Sequence, residues 1–231
     1  EKGSHFAARG VLDRAAPLAG GASHADSTGY AIEGGALTVT LKDGRKVGLA
    51  RPGQCAGFTG EPWAPASILL VNHGLHIEIV VDRGQAIGRS DAAGIADLVV
   101  EAAVTTIMDC EDSVTAVDAE DKVGVYRAWL GLMRGDLTAD LEKGGRVITR
   151  RLNSDRTYRT PAGGAVTLPG RSLMLVRNVG HHMMTDAVTL EGAEVPETVL
   201  DAMVTVACAL HDIRGKRLNS RARSVCIVKP K

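Results

Sequence analysis

The chain has 231 residues, of which 45% are hydrophobic and 23% charged, and this composition is typical of a globular protein. Its 27 basic and 27 acidic residues cancel, and a net charge of zero argues against a general binder of nucleic acids or membrane surfaces. No apolar run approaches the ~18 residues of a membrane span. No apolar signal region follows the N-terminus, so we expect a cytoplasmic protein.

The first part of the chain predicts one helix followed by strands. The pattern indicates a helix from Phe6 to Ala16 that ends before a proline and two glycines. Alternating residues on both sides of an Asp-Gly pair predict a hairpin over 36–49. Residues 51–66 are rich in Pro and Gly and predict a loop, and two further strands are expected over 68–72 and 75–82.

Beyond residue 90 the pattern changes to an alternation of helices and strands. Asp91 is a suitable N-cap for a helix that reaches Thr106, because the apolar residues between them recur at helical spacing. The remaining predicted elements are, in chain order, a helix over 116–133, a strand over 147–152, a hairpin over 157–168, a strand over 172–179, a helix from Pro196 to Ile213 and a strand over 224–228. The pattern predicts a parallel α/β unit that is interrupted by an antiparallel module. A buried strand at the very end leads us to expect that the chain is a piece of a larger protein.

The cysteines point to a reduced protein. They lie far apart, in or beside apolar runs, and no CxxC pair exists, which argues against a zinc site. We therefore expect buried reduced thiols at all four positions, which are Cys55, Cys110, Cys208 and Cys226.

Two charged segments stand at the ends of apolar runs, where parallel α/β folds keep their chemistry. In the first, Asp109 and Glu111 are two residues apart and would share one face of a strand. Two carboxylates on one face repel each other unless a cation or an arginine lies between them, and Mg²⁺ or a magnesium-bound water would satisfy both. Asp112 and Ser113 could instead cap the helix that follows, and for Asp112 we favour the cap.

The second segment ends in Arg177, which follows four apolar residues. A buried arginine must be paired or must bind an anion, and its planar fork suits a carboxylate or a developing oxyanion. The alternative is a structural ion pair, for which Glu111 is one candidate partner. Carboxylates from the first strand and a guanidinium from the second would suit a small, anionic, metal-chelated substrate.

A third basic segment is less specific. Arg150 and Arg151, with Arg156 and Arg159 nearby, could bind phosphate, but residue chemistry alone favours a surface strand of alternating charge. His76 and Glu78 share a face on a strand but lack a third metal ligand.

These segments resemble malate synthase, in particular its long G form. The resemblance covers residues 68–231 and is looser over 1–67. The matching stretches are 72–79 (NHGLHIEI), 107–122 (IMDCEDSVTAVDAEDK), 126–127, 151–158, 168–173, 176–181 and 219–231.

The resemblance implies a cytoplasmic, monomeric enzyme that condenses acetyl-CoA with glyoxylate and water, using Mg²⁺, to give malate and CoA in the glyoxylate cycle. It implies a TIM (β/α)₈ barrel interrupted by an inserted mixed α/β module with antiparallel hairpins. Residues 1–101 and 135–172 would be the first and second parts of that module. Residues 102–134 would supply a barrel strand and helix, and residues 173–231 further barrel strands and a helix.

The resemblance also implies roles for individual residues. Arg177 matches the catalytic arginine that binds glyoxylate and stabilises negative charge. Ser113 and Arg150 match positions that contact acetyl-CoA. Asp109 and Glu111 resemble acidic residues beside the magnesium, acting through water or by orienting Arg177.

The main magnesium ligands and the catalytic aspartate base of the family are expected outside this chain. The chain alone would then be inactive. The alternative is a standalone acetyl-CoA-binding or interaction module without catalysis.

Overall fold

A computed structural model of the chain describes residues 2–101, 105–111, 116 and 118–230, with residues 2–8 described in backbone only. The helices of this part of the chain are α1 (Lys2–Ala15), α2 (Ala86–Ser90), α3 (Ala119–Arg134) and α4 (Glu197–Ile213). Its strands are β1 (Ser27–Glu33), β2 (Ala36–Leu41), β3 (Lys46–Gly48), β4 (Cys55–Glu61), β5 (Ala64–Asn72), β6 (Leu75–Val81), β7 (Ile95–Val100), β8 (Thr105–Asp109), β9 (Thr138–Lys143), β10 (Arg146–Arg151), β11 (Arg156–Arg159), β12 (Ala165–Leu168), β13 (Leu173–Arg177), β14 (Met184–Leu190), β15 (Ala193–Pro196) and β16 (Ile227–Val228).

The chain divides into two compact units. The first comprises residues 1–102 and 156–168, and the second comprises residues 103–155 and 169–231. The segment 135–172, which is expected to belong to the inserted module, is therefore divided between the two units. Only its residues 156–168 lie in the first unit.

The first unit is built from two antiparallel sheets. One has the strand order β1-β2-β3, and the other has the order β12-β11-β4-β5-β6-β7. The predicted hairpins over 36–49 and 157–168 are confirmed as β2–β3 and β11–β12. The two strands predicted over 68–82 are confirmed as β5 and β6, which pair antiparallel. The fold is thus mixed α/β with several antiparallel sheets.

The core of the first unit lies between α1 and strands of both sheets. Leu12 of α1, Val39 of β2 and Ile68 of β5 are fully buried in one apolar cluster. At its edge the guanidinium of Arg9 pairs with the carboxylate of Asp91, and both side chains are almost completely buried. A buried ion pair of this kind fixes the helix against the segment that contains the acid.

Two predictions for the first unit are wrong. The segment expected as a helix from Asp91 to Thr106 contains β7, which pairs antiparallel with β6. Asp91 Oδ1 accepts hydrogen bonds from the backbone N–H groups of Ala93 and Ile95, so it caps a turn that leads into a strand. Gly94 has φ +79°, which stops a helix there, and pairing with β6 then decides the conformation. The predicted loop over 51–66 likewise contains β4, which pairs with β5.

The second unit is organised around a parallel sheet of order β16-β13-β8. Helices α3 and α4 pack together on it, and their cluster contains Trp129, Met133, Val176, Cys208 and Ala209. The predicted helices over 116–133 and 196–213 are confirmed as α3 and α4. Along the chain, α3 lies between β8 and β13 and α4 between β13 and β16, which is the βαβ connection of parallel sheets.

Two antiparallel hairpins, β9–β10 and β14–β15, complete the second unit. The sequence predicts β10 alone among these strands. Every residue of β9 and β10 is exposed, so the apolar alternation that reveals a half-buried strand is weak there.

Three of the four cysteines are buried, as expected, but Cys226 is exposed and contradicts the expectation. The pattern predicts a strand over 224–228, whereas β16 begins only at Ile227 and leaves the cysteine in the connection before it. In the part of the chain that the structure describes, no helix is long and apolar enough to cross a membrane.

Candidate functional site

The candidate site lies where two parallel strands end. Asp109 is the last residue of β8 and Arg177 is the last residue of β13, and the two are register partners in the parallel ladder. Cys110 N–H donates to the carbonyl of Arg177 over 2.8 Å, which continues the pairing one step beyond the strand. The carboxyl ends of both strands therefore present their charged side chains side by side.

Arg177 is held by both carboxylates of the acidic segment. Its Nε donates to Asp109 Oδ1 over 2.9 Å, and its Nη2 donates to Asp109 Oδ2. The same Nη2 lies 3.0 Å from Glu111 Oε2. The fork-to-fork contact with Asp109 fixes the plane of the guanidinium, which a single contact would leave free to rotate. The structure thus brings together the three charged residues that the sequence places at the two strand ends.

Hydrogen bonds set the charge of this cluster. The bonds from Arg177 hold the pKa of Asp109 below its usual range, against partial burial, and the backbone N–H of Glu111 also donates to that carboxylate. The same contacts raise the pKa of Arg177. Asp109 and Arg177 are therefore both ionised at neutral pH. Their side chains are 40% and 34% exposed, so solvent screens the pair and its importance lies in orientation.

A buried network lies behind the cluster. Lys122 of α3 is 4% exposed and donates from Nζ to Cys110 O at 2.7 Å. The same Nζ forms ion pairs with Glu197 Oε1 at 2.5 Å and Asp201 Oδ1 at 3.0 Å. Asp201 of α4 is fully buried, and its Oδ2 accepts from the backbone N–H of Val179 at 2.9 Å. These residues are absent from the predicted site. The sequence shows only that Lys122, Glu197 and Asp201 are charged residues on predicted helices.

Burial and pairing act against each other in this network. Burial disfavours the charged form of Lys122, yet its pKa is raised because Glu197 and Asp201 accept its hydrogen bonds. Tyr126 O–H donates to Asp201 Oδ1 at 2.6 Å, and burial together with this bond raises the pKa of the phenol. Lys122 is therefore charged and the phenol of Tyr126 is neutral at neutral pH.

Asp109 and Glu111 suit an indirect contact with a metal better than direct coordination. Both Asp109 oxygens already accept from Arg177, and Glu111 Oε2 forms an ion pair with the same guanidinium, which supplies the positive charge between the two acids. Glu111 Oε1 has no hydrogen-bond partner among the described residues and can accept from a magnesium-bound water. Within the same residues, no group of three or more His, Cys, Asp or Glu side chains converges as a metal site.

Of the two residues predicted to contact acetyl-CoA, Arg150 is described by the structure and is not part of this cluster. Ser113, and Asp112 before it, lie outside the described residues. The N-cap of α3 is Asp118, whose side chain accepts from the N–H of Asp121, so the favoured role of Asp112 as the cap of that helix is wrong. Arg150 is an exposed residue of β10 and lines an open cleft of about 570 Å³. The other lining residues are Leu132, Arg151, Leu152, Asn153, Gly170, Arg171, Ser172, Met174 and Asn219. The cleft therefore touches the beginning of β13, whereas Arg177 ends that strand.

Comparison with known proteins identifies relatives of the chain. The family model described as malate synthase G, alpha-beta insertion domain, matches residues 3–72. The chain is 51% identical over 227 residues to malate synthase G of Halalkalibacterium halodurans, and the match covers 97% of this chain and 31% of the relative. The chain matches a segment of malate synthase G. Relatives named malate synthase G from Corynebacterium efficiens and Corynebacterium glutamicum are 48% and 46% identical, each over 96% of this chain and 30% of the relative.

The predicted resemblance to malate synthase G is thus confirmed. The chain spans about a third of the length of the curated relatives it matches. Residues 3–72, which match the insertion domain of malate synthase G, lie within the first compact unit.

Proposed function

We propose that this chain is the part of a malate synthase that supplies the arginine for glyoxylate. The reaction would be the Mg²⁺-dependent condensation of acetyl-CoA with glyoxylate and water to give malate and CoA. The observation that carries the proposal is the position of Arg177, held in one plane by Asp109 and adjacent to Glu111 at the carboxyl end of paired parallel strands.

Arg177 would act as an electrostatic group in this reaction. Its guanidinium remains charged at any working pH, and its remaining N–H groups can donate to the carboxylate of glyoxylate. Deprotonation of the acetyl methyl group puts negative charge on the thioester oxygen, and a fixed guanidinium stabilises such a charge without reorganising. Asp109 keeps the fork in its plane, so that the donors are already aimed before the charge develops.

Magnesium fits this arrangement through water. When bound, the ion would polarise the carbonyl group of glyoxylate as a Lewis acid. Asp109 and Glu111 would orient Arg177, and the free oxygen of Glu111 would accept from a magnesium-bound water. The main metal ligands and the aspartate base would come from parts of the family sequence that this chain does not match.

The cleft beside β10 is our candidate site for the CoA moiety. Arg150 and Arg151 line it together with Arg171, and guanidinium groups suit phosphate oxygens. In the described part of the chain, neither Arg150 nor Arg151 is paired with a carboxylate. Ser113 would contribute from the segment that follows Glu111.

The second unit would form part of a TIM barrel. Two successive βαβ connections, β8–α3–β13 and β13–α4–β16, support this proposal because they are the repeating unit of that fold. Catalytic residues of such barrels lie at the carboxyl ends of the strands, which is where Asp109 and Arg177 lie. The first unit would be the inserted module, and the whole enzyme would be a cytoplasmic monomer.

The test is thiol release from acetyl-CoA in the presence of glyoxylate and Mg²⁺, measured for the complete gene product and for the 231-residue chain. We expect release by the complete product, with malate formed in equal amount, and none by the chain alone. Absence of malate from the complete product would reject the proposed reaction. Turnover by the chain alone would reject only the proposal that it lacks the base.

One alternative is a module that binds acetyl-CoA without catalysis, and the arginine-lined cleft favours it. Titration calorimetry of the 231-residue chain with acetyl-CoA would separate the two proposals. The module is favoured if the chain binds acetyl-CoA saturably, Arg150→Ala weakens this binding and the complete product shows no turnover. Turnover by the complete product would favour the enzyme.

A further inference from the structure

The segments that follow β8 and β13 are tied to each other through buried side chains. Cys110, directly after Asp109, is bound through its carbonyl to Lys122. Val179, two residues after Arg177, is bound through its N–H to Asp201. Because Lys122 and Asp201 pair with each other, one ionic contact connects the two strand ends that carry the site.

The geometry leaves little freedom to this connection. Lys122 Nζ donates to Cys110 O and forms ion pairs with Glu197 Oε1 and Asp201 Oδ1, so three oxygens surround its three N–H groups. Both oxygens of Asp201 are likewise engaged, because Oδ1 accepts from Tyr126 and pairs with Lys122, and Oδ2 accepts from the N–H of Val179. A satisfied buried network has a single arrangement, because any displacement would leave a buried charge without its partner.

A second lysine extends the connection to the third strand. Lys229 follows β16 directly, and its Nζ donates to the carbonyl of Val179 at 2.5 Å and to Thr198 Oγ1 of α4. The N–H and the carbonyl of Val179 are thus both held by side chains, one from α4 and one from the end of β16. The carboxyl ends of all three parallel strands are therefore fixed by buried or half-buried side-chain contacts.

We propose that Lys122 and Asp201 are positioning residues for Asp109, Glu111 and Arg177. The inference rests on the proposed function, because it gives the pair a role in the reaction that Arg177 would support. Neither side chain reaches the substrate in this role. The pair acts by fixing the backbone on both sides of the guanidinium–carboxylate contact, and Lys122 adds a positive charge near Asp109.

The magnitude expected from such a role is large. A misplacement of a catalytic group by ~1 Å can lower a rate about 100-fold. Removing only one partner would leave a buried charge unpaired and could prevent folding. The informative variant is therefore the neutral triple substitution Lys122→Met, Glu197→Gln, Asp201→Asn, which removes the charges together and keeps the approximate shapes.

The matched control neutralises a second buried ion pair of the described residues, with Arg9→Met and Asp91→Asn. This pair is buried to a similar degree but belongs to the first compact unit. Both variants are made in the complete gene product, and kcat, KM for each substrate and the thermal midpoint are measured. We expect the triple variant to lose about 100-fold in kcat with little change in the KM for acetyl-CoA, and the control to keep the wild-type kcat.

Two readouts separate positioning from general destabilisation. The first is the split between the kinetic parameters, because a positioning role lowers kcat and leaves the KM for acetyl-CoA nearly unchanged, whereas general destabilisation lowers the thermal midpoint and the amount of active enzyme. The second readout is the ¹⁵N–¹H resonance of Arg177 Nε, assigned by its loss in Arg177→Lys. We expect this resonance to shift or exchange rapidly in the triple variant and to stay unchanged in the control.

The single variant Asp201→Asn is isosteric, keeps an acceptor for Val179 N–H and leaves Lys122 paired with Glu197, so no buried charge loses its last partner and this variant serves if the triple variant does not fold. A folded variant of either kind with wild-type kcat and an unchanged Arg177 resonance would overturn the inference. If the wild-type product makes no malate, the proposed function fails, and the resonance alone then decides whether the pair positions Arg177.

Discussion

Arg177 and Asp109 face each other across two neighbouring parallel strands, and two N–H groups of the guanidinium donate to the two oxygens of the carboxylate. Glu111 lies against the same guanidinium, 3.0 Å from Nη2. A lysine at this position could keep the charge but could not reproduce the planar fork. The orientation of the remaining N–H groups therefore depends on arginine.

The substitution Arg177→Lys should lower kcat by about 100-fold or more, as the loss of a preorganised donor does in other enzymes. We expect little change in the KM for acetyl-CoA, because Arg150 and its cleft lie at the other end of β13. Steady-state kinetics of the complete gene product measure both parameters. Arg134→Lys is the control, since Arg134 is exposed and pairs with Asp136 at the end of α3. A wild-type kcat for Arg177→Lys would remove this residue from the proposed role.

The contact between Asp109 and Arg177 should make stability depend on pH in a defined direction. The pKa of Asp109 is lowered from its ordinary value of 3.8 by the bonds from Arg177, against partial burial. A lowered acid pKa contributes stability above the unfolded-state pKa, and this contribution is lost as the pH falls through the folded-state pKa.

The thermal midpoints of wild type and Asp109→Asn should therefore differ at neutral pH and converge below pH 3.8. Thermal unfolding of both proteins across this range gives the comparison, because all other acids are common to the two. The contact is half-exposed, so we expect a small difference. A difference that stays constant down to the lowest pH would show that the carboxylate charge is not its source.

The charged cluster could be predicted from sequence because each of its members interrupts an apolar run. Asp109 and Arg177 both follow strand-like apolar residues, and parallel strands place their carboxyl ends at one edge. The network behind the cluster could not be predicted in this way. Lys122 and Asp201 lie on helices, where a charged residue is normally solvent-exposed, and only tertiary packing shows that both are buried.

The orientation of helix α4 could not be predicted from the sequence either. Its buried residues include Glu197, Asp201, Thr205 and Asp212, while Val199 and Met203 are exposed. An amphipathic reading of this helix would bury the apolar stripe and expose the acids. The acids are buried because each has a partner, as Asp212 does in the backbone N–H groups of Asn219 and Ser220. The orientation of the helix is decided by the contacts that these acids make with other segments. The periodicity of apolar residues in the sequence carries no information about those contacts.

Substitution by alanine should have opposite effects on the free energy of unfolding at two glycines of the second unit. A Cβ on Gly170 would lie 2.0 Å from the carbonyl oxygen of Ser154, so the backbone beside the arginine-lined cleft must move. We expect Gly170→Ala to cost about 1–3 kcal/mol, as overpacking does. Gly124 lies within α3, and an added Cβ would meet no described atom within 4 Å outside its chain neighbours and its own helix backbone, so Gly124→Ala should stabilise by about 0.5–1 kcal/mol. Denaturant unfolding measures both changes, and a neutral Gly170→Ala would contradict the close approach.

The cysteines should differ in their reactivity towards a thiol reagent in the folded 231-residue chain. Burial raises the pKa of the Cys55 thiol to about 11 and that of Cys110 to about 12, so neither forms a thiolate near neutral pH. Cys208 is also buried, and burial raises its pKa, whereas Cys226 is exposed.

We therefore expect one fast-reacting thiol in the native chain, absent from Cys226→Ser, and three that react only after denaturation. The protection of Cys110 is the informative part, because this residue joins Asp109 to Glu111 and its carbonyl is held by Lys122. If the Lys122 network closes this segment, the neutral triple variant should expose Cys110 to the reagent while Cys55 in the first unit stays protected. Equal protection of Cys110 in both proteins would mean that packing against Trp129 and Cys208 is sufficient to hold the segment without the network.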